Sequence, residues 1–173
     1  LLTYSFIFTC AFAQLDNSII FSSGSYVEID NSDQFNPYSS DFSLTCWVKA
    51  EEGQTGHPFI TKRRYGVPTE MFQVFINVTG ELYFEFALNH PDPLLINLNC
   101  STSINDGNWH FIAIVMDRDS LGSIYIDGEF CDAIDISSQQ GNFNVSEKLI
   151  FGYSPPNNSF IGSIGESTFW KRT

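Results

Sequence analysis

The chain has 173 residues, and its 20 Asp and Glu outnumber its 8 Lys and Arg, so the formal net charge at pH 7 is −12. A field of this sign repels polyanions, which excludes nucleic acid and heparin-type partners. Aromatic residues make up 16% of the chain and stand in short apolar runs, a composition that favours β-strands over helices.

The first thirteen residues, LLTYSFIFTCAFA, carry no charge and end in Ala-Phe-Ala, the small-x-small pattern that precedes a signal peptidase cut. We therefore expect residues 1–13 to be a signal peptide that lacks its start, and the protein to be secreted or on the cell surface. A buried first strand is the alternative interpretation. Residues 14–173 are long enough for one domain and too few for two.

Short strand-like runs then follow one another along the chain, separated by turn signals such as Asn77-Val-Thr-Gly80 and Asp127-Gly128. Twelve short strands in one domain predict an all-β fold of two packed sheets. The predicted runs are 18–22, 26–30, 42–50, 59–63, 71–78, 82–88, 94–100, 109–117, 123–127, 130–136, 148–152 and 164–171.

Side-chain alternation separates half-buried strands from central ones. In residues 81–88 the apolar side chains alternate with Glu81, Tyr83 and Glu85, so one face is expected to meet solvent or a ligand. In residues 109–116 both faces are apolar. We therefore expect that strand to lie in the middle of a sheet and to be covered on both sides.

The cysteines predict one disulfide. Cys10 lies in the predicted leader, which leaves three cysteines for an oxidising compartment, one pair and one free thiol. Alternation places Cys46 on the apolar face of its strand, where it is expected to pack as a small hydrophobe. The predicted disulfide is then Cys100 to Cys131, which closes a loop of about 30 residues.

Four N-x-S/T triplets supply candidate glycosylation sites, at Asn77, Asn99, Asn144 and Asn157. Each triplet alone is a weak signal, but together with a leader they indicate a glycosylated extracellular surface. Asn99 is the least favoured of the four because Cys100, inside its triplet, is the predicted disulfide partner.

Two groups of side chains are candidates for ligand binding. The first is the one basic cluster, Lys62, Arg63, Arg64 and Tyr65, which could receive carboxylates of an acidic glycan or a protein through bidentate Arg contacts, or could be a solvated loop. The second group shares an outward position and a ring that could stack on a sugar or pack in a sheet: Trp47, Tyr83 and Tyr125.

Several motifs occur in a fixed order: Tyr26-Val-Glu-Ile29, Phe42-Ser-Leu-Thr-Cys-Trp-Val-Lys49, Asp106-Gly-Asn-Trp-His110, Ile124-Tyr-Ile-Asp-Gly128 and Phe160-Ile-Gly-Ser-Ile-Gly-Glu166. In this order the chain resembles laminin G-like domains of the concanavalin A-like lectin and glucanase superfamily over residues 14–173. The resemblance implies a two-sheet antiparallel jelly-roll sandwich. It also implies further sequence after Thr173, through which any membrane attachment would come.

The same resemblance implies a Ca²⁺ site at the rim of the sandwich. By register its side-chain ligands would be Glu70 and Asn144, both oxygen ligands of the kind that Ca²⁺ requires. Two solvated rim residues are the alternative interpretation, and an Asn144 that carried a glycan could not bind a metal.

Glycosidases of this superfamily need two carboxylates in one cleft. The nearest motif here is Glu28-Ile-Asp30, and Glu81 and Glu85 would lie roughly 13 Å apart along a strand. We therefore predict that the chain is not an enzyme but a non-catalytic extracellular module that binds a carbohydrate or a protein. The alternatives are a glycoside hydrolase of the same fold and a structural or adhesive surface protein.

Overall fold

The computed structural model describes residues 17–30, 32–63, 71–88, 94–139, 141–154 and 158–172. A 3-10 turn spans Ser32–Phe35. In chain order the strands of these residues are β1 (Ile19–Phe21), β2 (Val27–Ile29), β3 (Asp41–Ala50), β4 (His57–Arg63), β5 (Met71–Ile76), β6 (Glu81–Leu88), β7 (Leu94–Ser103), β8 (His110–Met116), β9 (Leu121–Ile126), β10 (Glu129–Asp135), β11 (Leu149–Phe151), β12 (Tyr153–Ser154), β13 (Asn158–Ser159) and β14 (Gly162–Arg172).

Two antiparallel sheets of six strands pack face to face. The first sheet has the order β1-β14-β3-β8-β9-β10, and the second has the order β2-β11-β4-β5-β6-β7. Each of the twelve predicted runs overlaps one strand, so the all-β, two-sheet antiparallel jelly roll is confirmed. The short pair β12 and β13 was not predicted because strands of two residues show no alternation.

The core lies between the sheets and forms because alternate residues of each strand point inward. In β3 every second side chain is buried, Cys46 among them as a free thiol. Three aromatic rings from three segments fill the centre: Phe86 lies 5.1 Å from Phe143, and Phe72 lies 5.8 Å from Phe143, measured between ring centroids. Burial raises the pKa of the Cys46 thiol to about 12, so it is protonated at neutral pH.

A disulfide joins the two sheets at one edge. It links Cys100 of β7 to Cys131 of β10, the cysteines paired from the sequence, with 5.1 Å between their Cα atoms. Beside it the backbone N–H of Asn99 donates to the Asp132 carboxylate over 3.0 Å. The last strands of both sheets are therefore tied together.

His110 links two of the sequence motifs, Asp106-Gly-Asn-Trp-His110 and Ile124-Tyr-Ile-Asp-Gly128. Nδ1 of His110 lies 2.8 Å from Oδ2 of Asp127, and its Nε2 lies 3.1 Å from Oδ1 of Asp106. Asp127 and Gly128 both have positive φ, 54° and 86°, as the tight turn between β9 and β10 requires. His110 therefore joins the turn before β8 to the turn after β9.

The expected position of β8 is confirmed, but its expected burial is wrong. The strand pairs with β3 on one side and β9 on the other. Its outward side chain Val115, however, is 38% exposed. The strand is apolar on both sides, yet no described element covers the outer face of the first sheet at this position.

In the described residues no helix has the length and apolarity needed to span a bilayer. The predicted leader, residues 1–13, lies outside the described residues.

Candidate functional site

The outer face of the second sheet brings together polar and aromatic side chains from four strands. Strand register sets them side by side, because Thr61 is opposite Gln73, Gln73 is opposite Glu85, and Glu85 is opposite Asn97. We call this surface the sheet-two face and define it by Thr61, Arg63, Gln73, Phe75, Tyr83, Glu85 and Asn97.

The middle of the sheet-two face is shielded from water. Thr61 and Gln73 point away from the core, yet their exposed fractions are only 1% and 8%. Asn97, on the edge strand β7, is exposed. Neighbouring side chains therefore shield the polar groups at the centre of the face from water, and we call the row of outward positions across this sheet the trough.

Hydrogen bonds fix the polar side chains of this trough in place. The Arg63 guanidinium donates from Nη1 to Oε1 of Gln73 over 3.4 Å, and Nε2 of Gln73 donates to Oε2 of Glu85. Oγ1 of Thr61 is buried, and no described group makes a hydrogen bond with it. Because buried hydroxyls normally have a partner, Thr61 offers a donor and an acceptor to a ligand.

An aromatic pair lies next to the polar row. Phe75 and Tyr83 are opposite each other on β5 and β6, with 5.3 Å between ring centroids and 37° between ring planes. Both rings are half-buried. Flat apolar surface beside fixed hydrogen-bonding groups is typical of small-ligand sites, and sugars carry both an apolar C–H face and hydroxyl groups.

The trough continues to the opposite edge of the sheet. Ile150 is opposite both Thr61 and Glu28, so the row of outward positions reaches β11 and β2, with an apolar residue between the polar centre and Glu28. There a cavity of about 530 Å³ is lined in part by Glu28 and by the rings of Tyr26 and Tyr153, which stack with 5.6 Å between centroids. The site therefore has an aromatic pair in its middle and a second one at the β2 edge.

The three outward aromatics expected from the sequence are half-buried, but they lie on two different surfaces. Tyr83 belongs to the sheet-two face, whereas Trp47 and Tyr125 are on the outer face of the first sheet. On that surface Trp47 lies 5.3 Å from Phe111, and Tyr125 lies 5.8 Å from Phe130, between ring centroids. Local alternation predicts that a ring points outward, but it does not predict which sheet the strand joins.

The structure separates the members of the basic cluster. Lys62 is fully buried, and its ammonium donates to the backbone carbonyl of Glu147 over 2.6 Å. Burial lowers the pKa of Lys62 to about 8, because the charged ammonium loses its hydration in the core. The expectation that Lys62 meets a ligand at the surface is thereby corrected. Arg63 belongs to the sheet-two face, and Arg64 and Tyr65 lie outside the described residues.

Of the two expected side-chain ligands for Ca²⁺, the structure describes Asn144 alone. Glu70 lies outside the described residues, and Oδ1 of Asn144 accepts a hydrogen bond from Asn36 over 3.3 Å. No group of three or more His, Cys, Asp or Glu in the described ranges is placed to hold a metal. In the same corner the Lys62 ammonium is already bonded to a carbonyl oxygen of Glu147, the type of ligand that Ca²⁺ needs.

The remaining glycosylation candidates differ in how their side chains are used. Asn77 is engaged in its own turn, since its Oδ1 accepts from the backbone N–H of Glu81 over 2.9 Å. Asn99 is exposed and opposite Tyr83, so a glycan on Asn99 would lie beside the sheet-two face. Asn157 lies outside the described residues. Whether any of these sites is modified stays a prediction.

The carboxylates near the trough are far apart. Hydrogen bonds from Thr79 and then Asn77 lower the pKa of Glu81 and hold it in the turn before β6. Glu28 is four strands away from Glu85, which corresponds to roughly 19 Å at the usual spacing of strands. A two-carboxylate mechanism needs a pair within about 5 to 9.5 Å, and these positions do not supply one.

Comparison with known proteins places this fold in a family. A laminin G model, described as the concanavalin A-like lectin/glucanases superfamily, matches residues 21–173. No curated protein sequence matches the chain.

Solved structures share the fold at low sequence identity. The carbohydrate-binding module CBM40 of the Ruminococcus gnavus IT-sialidase, bound to α2,3-sialyllactose, has 14% identity and a TM-score of 0.70 over 88% of both chains. Domains LG4-5 of the mouse laminin α1 chain have 15% identity and a TM-score of 0.67 over 88% of this chain and 41% of theirs.

The binding domain of botulinum neurotoxin serotype D has 14% identity and a TM-score of 0.66 over 88% of this chain. This chain spans 38% of that binding domain. At these identities the likeness establishes the fold alone, whereas the family match covers most of the sequence. The chain therefore belongs to the laminin G-like family of the concanavalin A-like lectin and glucanase superfamily.

Proposed function

We propose that this chain is a non-catalytic, extracellular recognition module that binds a glycan on the sheet-two face. The observation that carries the proposal is the water-shielded row of polar side chains beside an aromatic pair. Thr61, at the centre of that row, is a buried hydroxyl with no hydrogen-bonding partner among the described residues.

The trough matches the two-sided chemistry of a sugar. The Phe75 and Tyr83 rings offer an apolar surface to C–H groups, while Thr61 and Glu85 offer hydrogen bonds to hydroxyl groups. The Glu85 carboxylate is already oriented by Gln73, so little side-chain entropy is lost when a ligand binds.

The fold relatives support a binding role. They include a carbohydrate-binding module with bound sialyllactose, laminin domains, and toxin binding domains. An extracellular location is supported by the Cys100–Cys131 disulfide, since such bonds persist in oxidising compartments.

The test is a glycan array followed by calorimetry on the best glycan, with Tyr83→Ala compared to wild type. We expect Tyr83→Ala to weaken binding by about tenfold or more, because it removes half of the aromatic pair. Tyr125→Ala, which removes a similar ring from the first sheet, is the matched control and should bind as wild type does. Equal loss in both variants, or loss only in Tyr125→Ala, would contradict the proposal.

The same experiment, repeated with a chelator, tests the Ca²⁺ dependence that the family resemblance implies. The described residues supply one of the two expected side-chain ligands, Asn144, and its amide oxygen is bonded to Asn36. We expect glycan binding to persist without Ca²⁺. A loss of binding that added Ca²⁺ restores would assign the metal to Asn144 together with residues outside the described ranges.

A protein ligand is the second candidate, and a different surface favours it. The outer face of the first sheet exposes the apolar side chains of Val115 on β8, Phe130 on β10 and Trp170 on β14, three strands of one sheet that are not adjacent to one another. Exposed apolar surface of this kind is typical of protein contacts. An empty glycan array together with a protein ligand that Trp170→Ala abolishes would favour this candidate over the first.

A further inference from the structure

We propose that the glycan bound by the sheet-two face is a neutral oligosaccharide, and that the face discriminates against sugars that carry a carboxylate. The inference rests on the proposed function and adds the chemical class of the ligand. Glu85 is the residue to which we assign the discrimination.

The charges along the trough are the first argument. Carboxylates lie at two points of the row, Glu85 on β6 and Glu28 on β2, in a chain with a net charge of −12. A ligand carboxylate placed at the shielded centre would lie next to Glu85 in a region where water screens poorly. Like charges under these conditions repel strongly, so an acidic sugar is disfavoured.

The cations of the same surface are already engaged. The Arg63 guanidinium donates to Gln73, on the side that faces the row. At the β2 edge the Lys148 ammonium lies 2.7 Å from Glu28 and 2.9 Å from Asp30, and these two carboxylates raise its pKa. Recognition of a sugar carboxylate normally uses an arginine fork, and on this face Nη1 of Arg63 is already used by Gln73.

The hydrogen-bonding groups select for hydroxyl donors. An ionised carboxylate such as Glu85 only accepts hydrogen bonds, and the Thr61 hydroxyl both donates and accepts. The Gln73 amide accepts from Arg63 through its oxygen and donates to Glu85 through its nitrogen. At Glu85 a ligand therefore has to bring a donor, and the hydroxyl groups of neutral sugars are such donors.

The length of the trough points to an oligosaccharide. The row runs from Asn97 on β7 to Glu28 on β2 across six strands, which is roughly 24 Å at the usual strand spacing. Aromatic pairs lie at two places along it, Phe75 with Tyr83 and Tyr26 with Tyr153. A single sugar ring could contact only one of these pairs.

The experiment compares matched probes that differ in charge. Lactose is paired with α2,3-sialyllactose, and methyl-esterified oligogalacturonate is paired with the free acid, on an array that also carries neutral oligosaccharides. We expect every bound glycan to be neutral, and the neutral member of any bound pair to bind at least about tenfold more tightly. The affinity of the protein for the neutral member should change less than about twofold between low and high salt, as expected for an uncharged ligand.

A variant tests the residue assigned to the discrimination. Glu85→Gln keeps the shape and removes the charge, so the preference for the neutral member should shrink about tenfold. Glu129→Gln changes the net charge equally on the exposed edge strand β10 and should leave the preference unchanged.

Equal or tighter binding of the acidic members by wild type overturns this inference while glycan binding itself stands. Binding of no glycan, or of a cationic peptide alone, overturns the proposed function and this inference with it.

Discussion

Replacing Arg118 with Met is expected to lower the free energy of unfolding by about 2 to 4 kcal/mol. Arg118 is only 2% exposed, and its Nη2 donates to the carbonyls of Gln139 and Gly141, each over 2.9 Å. Its Nη1 also lies 3.5 Å from the Tyr38 carbonyl. The guanidinium thus ties the loop after β10 to the segment before β3.

The cost arises because the variant leaves these carbonyl oxygens without the donor that satisfies them. Met retains most of the apolar stem, so the packing of that stem changes little. Urea unfolding followed by tryptophan fluorescence measures the difference. Lys49→Met, which removes a charge from an exposed position of β3, is the control and should change stability by less than about 0.5 kcal/mol. An Arg118→Met protein as stable as the control would contradict the assigned role.

The double variant Cys100→Ser, Cys131→Ser is expected to lose about 2 to 4 kcal/mol of stability. The disulfide joins strands 31 residues apart in sequence, so its removal gives the unfolded chain more conformational freedom. It also frees the two edge strands β7 and β10, which belong to different sheets. Thermal unfolding with and without a reducing agent measures the effect.

Reduction of the wild-type disulfide is the control for the double variant. Wild type should fall to the stability of the double variant when the bond is reduced, and the double variant should not respond. The Cys46 thiol does not complicate the comparison, because its burial keeps it protonated and unreactive at neutral pH. A wild type that is equally stable with and without the bond would contradict the expected contribution.

The strands were predictable because their signal is local. In β3 and β6 apolar and polar residues alternate, and each alternation corresponds to one buried and one outward face. The Asp127-Gly128 turn was predictable for a similar reason, since two positive φ values in succession favour these residue types.

Lys62 shows where local pattern is not enough. On β4 five successive residues are buried, so alternation gives no indication of the direction of any one side chain. A lysine in such a run is expected at the surface, and its burial depends on the Glu147 carbonyl, 85 residues away in sequence. Tertiary contacts at this distance are not visible in a single sequence.

The candidate site was predictable only in part. Glu85 and Tyr83 were expected on one exposed face of β6, which is correct. Thr61 and Gln73 were not identified, because their position beside Glu85 follows from the pairing of three strands and not from any motif. Sheet register, which sets the whole row, is fixed by non-local pairing.

The most direct test of the central claim is an NMR titration of the ¹⁵N-labelled chain with the tightest-binding neutral glycan from the array. The backbone amides of Thr61, Gln73, Tyr83 and Glu85 should shift together and saturate with the calorimetric affinity, while those of Trp47 and Tyr125 on the first sheet stay in place. Shifts confined to the first sheet, or to the rim around Asn144, would contradict the assignment of the binding site to the sheet-two face.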